Sequence, residues 1–323
     1  MTPAATTPTA VAPTSIATAG RPRPRNSRLT WEEPPTPGGR ASKGGVLIVV
    51  LLVILVPLYS VVLTSLSDQE SINRAGGMVL VPYHLTAEAY RAIFGNSLIV
   101  HSLLVSVGVT LIGTAISVVV TVLCAYGLSR PRSFGHRTIL MTLVVTMFFS
   151  GGLIPTFLVV SALGGYDRYW SLILPGAVSV FNIVVMRWFF AGTAAELIEA
   201  ARIDGAGDWR ILWSIVLPTS RAVVAVITLF YAVGYWNSFF NALLYLPDNG
   251  KWPLQMIIYS YTLRGNNLPG TGVTSGQFLG HQALAPLSLQ MAVVTLTLVP
   301  ILVVYPFVQR HFVKGMLIGA IKG

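Results

Sequence analysis

The placement of charge constrains this chain more than any single motif does. Stretches free of Asp, Glu, Lys and Arg cover residues 44–67, 92–129, 138–166, 169–186, 222–247 and 265–309. A helix needs about 20 mostly apolar residues to cross a bilayer, so each stretch can hold one span. Only 10% of the 323 residues are charged, against about 25% in an ordinary soluble domain. A soluble enzyme is excluded. The fold class expected is an all-α integral membrane protein with six transmembrane helices, at about 45–66, 97–128, 138–162, 169–190, 222–246 and 285–308.

Residues 1–43 form a separate, Pro/Thr-rich and basic extension with Arg21, Arg23, Arg25 and Arg28. Such a segment buries too little apolar surface to offset its chain entropy, so disorder is expected. Its apolar stretch lies too far from Met1 for a cleavable signal peptide, which leaves the first span in place with the N-terminus in the cytoplasm. Six spans then return the C-terminus to the cytoplasm. On that topology 16 Lys/Arg fall inside and five outside, the five being Arg74, Arg91, Arg168, Lys251 and Arg264. This is the asymmetry of the positive-inside rule, and it accounts for a pI near 10 without nucleic acid.

The expected membrane interior is almost free of ionisable groups. His101 is the exception, near one end of its span, where a structural or interfacial role is expected. Intramembrane charges usually mark proton relays or ion paths, so proton-coupled carriers are disfavoured and neutral substrates fit better than ions. The one cysteine, Cys124, lies in an apolar stretch and reads as a small hydrophobe, with no disulfide framework or metal site. Tyr83, Tyr90, Tyr245, Trp252, Tyr259 and Tyr261 gather in or beside the two external segments, where such rings either anchor at the interface or touch a ligand.

The loop at 193–218, between the fourth and fifth spans, carries the most information. Thr193 with Glu196 has the form of a capping box. The helix it opens, about 194–203, ends where Gly205 supplies a left-handed turn. Asp208 is placed to cap a second helix, about 209–217, which Pro218 helps to terminate. Leu197, Ile198 and Ala201 are expected to share one side of the first helix. Periodicity alone leaves two readings of that face, docking in a protein groove or packing at the interface.

Glu199-Ala200-Ala201, three residues, Gly205, nine residues and Ile215-Val216-Leu217-Pro218 together match the EAA signature of ABC importer permeases, with no gap in the spacing. The tail 309–323 resembles the ending of carbohydrate-uptake permeases of the maltose type. Ala125-Tyr126-Gly127-Leu128-Ser129-Arg130 and Trp252-Pro253-Leu254-Gln255 are further echoes. Phe181-Asn182-Ile183-Val184-Val185-Met186-Arg187 is most similar to the branch for aldouronate and related oligosaccharide uptake. The resemblance covers about residues 45–323.

What the resemblance implies is a permease subunit in a prokaryotic plasma membrane that carries a sugar or short oligosaccharide. Its partners are a second homologous permease, two cytoplasmic ATPase subunits and an extracytoplasmic solute-binding protein. On that reading Glu199, Ala200, Ala201, Arg202, Asp204 and Gly205, with Ile215, Leu217 and Pro218, transmit ATPase closure to the spans. Arg310 and Lys314 in the tail either reach towards the ATPases or meet lipid headgroups. No phosphate-binding loop of the G-x-x-x-x-G-K-[ST] form is present. ATP is therefore bound and hydrolysed by a separate subunit, and this chain needs no cofactor of its own.

Candidates for the translocation pathway are Thr146, Ser150, Ser179, Asn182, Tyr235, Trp236, Asn237 and Asn241, with Ser238 beside them. Asn237 and Asn241 are four apart and expected on one helix face. Such groups either bond helices together or line a cavity. Pro155, Pro175 and Pro300 either kink their helices or are tolerated there. The alternative function is a membrane-embedded lipid- or glycan-modifying enzyme, for which Glu196, Glu199, Asp204 and Asp208 cluster but lack a histidine motif. A channel is disfavoured by the absence of charged rings. Replacing Gly205 by Pro, or Glu199 by Lys, is expected to abolish uptake while the chain still reaches the membrane. Uptake of labelled sugar, normalised to membrane abundance, is the check, and normal uptake in either variant contradicts the coupling role.

Overall fold

The computed structural model describes residues 37–130, 135–149, 151–192, 195–264 and 286–320. It divides into two units, Met1–Ile54 and Leu55–Gly323. In the first, the described residues are the beginning of helix α1, Pro37–Ser65, with Val46 to Ile54 all exposed. Pro37 opens this helix where its missing N–H is no loss, upstream of the expected 45–66 span and inside the extension read as ending at residue 43.

Among the described residues of the second unit the regular elements are helices, and the sole β feature is an isolated bridge between Ser67 and Leu85. After α1 come α2 (Gln69–Ala75), α3 (Glu88–Gly95), α4 (Ser97–Leu128), α5 (His136–Phe148) and α6 (Leu153–Ala162). Next are α7 (Trp170–Ile173) with a 3-10 turn at Leu174–Gly176, α8 (Val180–Gly192) and α9 (Ala195–Ile203). A composite run follows: α10 (Asp208–Ile211), a π-helical stretch at Leu212–Val216 and α11 (Leu217–Thr219). The chain ends with α12 (Arg221–Trp236), α13 (Phe240–Tyr245), α14 (Leu254–Arg264) and α15 (Pro286–Ala320).

Three helices, Ala41–Ser65 in α1, α4 and Leu287–Pro306 in α15, are long and apolar enough to cross a membrane. Three bent pairs also pass when joined, so the spans number up to six. The pairs are α5 with α6, bent by 117°; α7 and its 3-10 turn with α8, bent by 51°; and the α10–α11 run with α12, bent by 84°. The expected span at 138–162 is thus two helices, and the one at 169–190 is interrupted at Ala177–Ser179. The expected span at 222–246 is interrupted too: α12 stops at Trp236 and α13 starts at Phe240.

α4 is the centre of the packing, and its sequence is inverted relative to a helix of a soluble protein. Its buried face carries Ser102, Ser106, Val109, Gly113, Ser117, Thr121 and Ala125, while Leu104, Leu111, Ile112 and Val119 are exposed. Where the surroundings are as apolar as leucine, helices gain by close approach and interhelical hydrogen bonds, and small residues permit both. α12 packs along that face and α8 beside it.

The contact with α12 is made by a pair of tyrosines four apart. Tyr231 Oη lies 2.7 Å from Thr121 Oγ1, and Tyr235 Oη lies 2.8 Å from Ser117 Oγ. Each hydroxyl also takes a backbone group at the interrupted fourth span. Tyr235 donates to Ile173 O at 2.9 Å, and Ser179 N–H donates to Tyr231 Oη at 3.2 Å. A helix break frees backbone groups that apolar surroundings leave unpaired. Here the two phenols bind them. Trp236, one residue on, donates from Nε1 to Thr297 O in α15 at 3.0 Å.

Gly113 is the residue that lets Tyr235 in. A Cβ built there lies 2.9 Å from the Tyr235 ring, whereas nothing lies within 4 Å of a Cβ at Gly108 on the same helix. Overpacking a fitted site costs about 1–3 kcal/mol, and two hydrogen-bond partners, Ser117 Oγ and Ile173 O, hold this ring in place. Gly113→Ala is therefore expected to lower the thermal midpoint of the purified protein in detergent, and Gly108→Ala to leave it unchanged. Equal midpoints for the two variants contradict the fit.

Candidate coupling site and translocation face

The loop between α8 and α12 has the Gly205 turn that its sequence implies. α9 ends in a Schellman turn: Gly205 N–H donates to Arg202 O at 3.0 Å and Ala206 N–H to Ala201 O at 2.8 Å. Gly205 holds φ at +77°, a conformation that costs an L residue with a Cβ about 1–2 kcal/mol. Nothing lies within 4 Å of a Cβ built there, so the need for glycine is conformational and not steric. The capping box of Thr193 and Glu196 lies outside the described residues, in its first member and in the side chain of its second.

Asp208 does not cap the second helix; Gly207 occupies the cap position without a side-chain bond, and Asp208 is the first helical residue. Pro218 does not end that helix, which runs on to Thr219 before turning by 84° at Ser220. A proline cannot supply the N–H that a four-residue register demands and clashes with the carbonyl four back. Immediately before it the register widens, with Leu217 N–H bonded to Leu212 O five residues away, and the wider turn lets the helix continue through Pro218. Leu197 does not join Ile198 and Ala201: those two pack on the core, while Leu197 is exposed. Asn237 and Asn241 do not share a helix face, because the chain breaks at 237–239 between them.

Glu199, Ala200, Arg202, Asp204 and Gly205 are all exposed, and Ala201 is half-buried beneath them. Leu197 and Ile203 stand out from the same short helix, Ile203 at 86% exposed, with Trp209 and Trp213 exposed further along. The second half of the signature faces inward instead. Ile211, Leu212 and Val216 are buried, and Ile215, Leu217 and Pro218 are half-buried against the bundle. The loop therefore has an outward half rich in charge and exposed apolar groups, and an inward half that roots it.

What roots it was not evident from spacing. Tyr126, in the last turns of α4, donates its hydroxyl to Asp208 O at 2.9 Å. Arg130 forms an ion pair with the Asp208 carboxylate, donates to the Tyr126 hydroxyl and lies over that ring, 4.2 Å from its centroid. Arg187, near the end of α8, donates from Nε to Leu128 O at 2.8 Å and lies 3.3 Å from His136 Nε2 at the start of α5. The last carbonyls of a helix lack intrahelical donors, and a cation there also meets the negative end of the helix dipole. Arg130 and Arg187 belong to the Ala125–Arg130 and Phe181–Arg187 stretches that carry the family resemblance; their partners, far away in sequence, become visible only in three dimensions.

The pathway candidates fall into two groups. Tyr235 and Trp236 are buried and fully engaged between helices, Ser179 and buried Asn182 sit at the break in the fourth span, and Thr146 bonds its own helix at Leu143 O. Ser150 lies outside the described residues. Asn237, by contrast, is exposed at the break in the fifth span, with Nδ2 donating to Val233 O at 3.0 Å. Its Oδ1 accepts from Gln255 Nε2 of α14 at 3.3 Å. Phe239 stacks on Tyr259, one turn beyond Gln255, with ring centroids 5.0 Å apart, and Asn241 is half-buried nearby in α13. α14 is set against α4 by a bond from Leu254 N–H to Ser106 Oγ at 2.7 Å. Gln255, Phe239 and Tyr259 were not among the expected pathway residues.

The described residues define an α-helical protein with helices apolar enough to cross a membrane and a rooted, outward-facing loop. The chain belongs to the family of binding-protein-dependent transport system inner membrane components, which matches residues 117–318. It is 42% identical over 281 residues to the polygalacturonan/rhamnogalacturonan transport system permease protein YtcP of Bacillus subtilis (strain 168), covering 86% of this chain and 96% of that one. Protein LplC of the same organism is 40% identical over 272 residues, covering 84% and 90%. A solved bacterial ABC transporter involved in the import of the acidic polysaccharide alginate has a chain that superposes with a TM-score of 0.78 at 29% identity, covering 86% of this chain and 98% of that one. The chain is thus a permease subunit of an ABC importer in the plasma membrane and not an enzyme. Permeases of this family work with an ATPase and a solute-binding protein.

If Gly205 is required for its backbone conformation alone, side chains at this position should rank by their tolerance of positive φ. Gly205→Asn is expected to keep most uptake, since asparagine visits this region readily, and Gly205→Val to lose most of it. Uptake rates normalised to membrane abundance give the ranking, and equal loss in both variants contradicts it.

Proposed function

We propose that this chain forms one half of the membrane pathway through which a sugar or short oligosaccharide enters the cell. An extracytoplasmic binding protein delivers the substrate, a second homologous permease supplies the other half, and two cytoplasmic ATPase subunits drive the cycle. The topology that goes with this function has both termini in the cytoplasm, with the basic 1–43 extension as a cytoplasmic appendage. The permease domain is then 44–323, and the 193–218 loop presents Glu199, Ala200, Ala201, Arg202, Asp204 and Gly205 to an ATPase. The observation that carries this reading is the outward half of the loop. There Leu197 and Ile203 are exposed beside Glu199 and Arg202 on a helix held by the Gly205 turn. Exposed apolar residues among charges on a rigid element suit a groove in a partner protein.

Neutral oligosaccharides are what the uncharged interior favours, and polyuronate fragments, which are anionic, are the class to test against them. Support for the latter comes from the names of two similar proteins, one a polygalacturonan/rhamnogalacturonan permease and the other an alginate importer. The face we assign to the pathway is the break between α12 and α13. Exposed irregular backbone and an amide pair in an apolar stretch are tolerated at membrane depth only against protein or a water-filled cavity. Asn237 and Gln255 offer amides for sugar hydroxyls, and the Phe239–Tyr259 pair offers flat apolar rings. The cycle we infer is alternating access. ATP closes the ATPases, the loops move, the pathway opens towards the loaded binding protein, and hydrolysis resets it.

Isolation of the chain from its native membranes in mild detergent, with its companions identified by mass spectrometry, tests the assembly. An ATPase subunit, a second permease and a solute-binding protein are expected. Recovery of the chain alone, even after cross-linking through 196–218, contradicts the reading. In the reconstituted transporter, Gln255→Ala is expected to raise the half-saturating concentration of loaded binding protein or to lower the maximal rate about fivefold, the worth of one hydrogen bond of ~1 kcal/mol. Wild-type kinetics in that variant remove Gln255 from the pathway.

A further inference from the structure

α4 ends on the loop and, seven residues earlier and beyond, on the tyrosines that bridge the interrupted fourth span. At its C-terminal end Tyr126 and Arg130 hold Asp208 by its carbonyl and its carboxylate at once. Along its length Ser117 and Thr121 hold Tyr235 and Tyr231, which in turn take Ile173 O and Ser179 N–H at the break. Between these two sets of contacts lies unbroken helix, with Ala125 fully buried.

Asp208 is well placed to carry load. It follows the Gly205 turn by three residues and opens the run that leads through the π-helical stretch into α12. Its carboxylate is mostly exposed, at 67%, while the Arg130 side chain is at 21%. An ion pair so open to solvent adds little to stability. Its two-point geometry, with one bond to backbone and one to side chain, serves to fix position.

We propose that Tyr126, Arg130 and Asp208 form a latch that delivers movement of the 193–218 loop to α4, and through α4 to the break in the fourth span. The three are positioning residues: they touch neither substrate nor ATP. The inference rests on the reading that this loop docks an ATPase. Among the described residues, the other firm hold on this end of α4 is Arg187 on Leu128 O, which ties α4 to α8. The latch therefore joins the loop to a unit of two helices and not to a single free end. Spatial continuity alone does not establish coupling between sites, so the test must separate coupling from assembly.

The complete transporter, purified with its companions, is reconstituted in proteoliposomes, and substrate moved per ATP hydrolysed is measured for Arg130→Asp, Asp208→Arg, the double exchange and Tyr126→Phe. Each single charge reversal is expected to keep the ATPase in the complex and to hydrolyse ATP, while transport per ATP falls by up to about fivefold, the most that an exposed ion pair worth ~1 kcal/mol can set. The double exchange restores most of the ratio, and Tyr126→Phe, which folds with the ring intact, lowers it in part. A wild-type ratio in both single reversals overturns the latch. So does loss of the ATPase from either, which would place the pair in the docking surface itself. Glu199→Lys is run alongside: if it leaves both ATPase recovery and the ratio unchanged, the docking reading fails, a result distinct from any outcome at Arg130 and Asp208.

Discussion

In apolar surroundings a backbone amide or carbonyl released from a helix has no water to bond, and each one left unpaired costs several kcal/mol. The structure depends on how this chain meets that constraint at the places where its helices break. At the interrupted fourth span, Ile173 O and Ser179 N–H are taken by Tyr235 and Tyr231. Those phenols reach the break because serine, threonine and glycine on α4 leave room for their rings and bond their hydroxyls. The small face of α4, the tyrosine pair of α12 and the break in the fourth span are one solution to a single problem. Losing the tyrosine pair frees the groups at the break, and losing the α4 hydroxyls takes one of two partners from each phenol.

The same constraint separates the two interrupted spans. The fourth is closed by the two phenols, with Ile173 buried and Ser179 half-buried, while Val178 beside them is exposed. At the fifth, Asn237 turns its own amide back onto Val233 O and stays exposed, with Gln255 as its neighbour. A subunit that satisfied every break internally would have nothing to offer a passing solute. One that satisfied none would not fold. The difference between the two breaks is therefore informative about use, and it favours the α12–α13 face as the one turned to a cavity or to a second subunit.

The charge pattern and the signature spacing carried the fold class and the Gly205 turn, because both depend on local chemistry. Uncharged length sets a span, and a left-handed turn wants glycine at the end of a helix. Asp208 was misjudged for the complementary reason. As a polar residue before an apolar run it reads as a cap, and its true partner, Arg130, is separated from it by the five helices α5 to α9. Pro218 was misjudged because its effect depends on the register before it, and a switch to a π-helical turn at Leu212–Val216 has no compositional sign. The breaks at Ala177–Ser179 and Asn237–Phe239 carry local signs, Pro175-Gly176 before the first and Asn237-Ser238 in the second, which a reading by uncharged length alone passes over. The pairing of Tyr231 and Tyr235 with Thr121 and Ser117 was more accessible. Both pairs are four apart, and that matched spacing is a signal that comparing polar periodicities between spans would have found.

On the reading that separate ATPase subunits drive transport, the link through this chain is mechanical. That requires a stiff element between the surface where a partner pushes and the place where the pathway yields. α4 meets the requirement: it is continuous over Ser97–Leu128, while the other two well-packed spans, fourth and fifth, are both interrupted. A broken helix absorbs displacement at its break, whereas an unbroken one passes displacement along. A rigid helix flanked by two broken ones thus concentrates motion at the breaks, where Ser179, Asn182 and Asn237 lie. On this argument the interruptions in the spans are as necessary to transport as the loop that drives it.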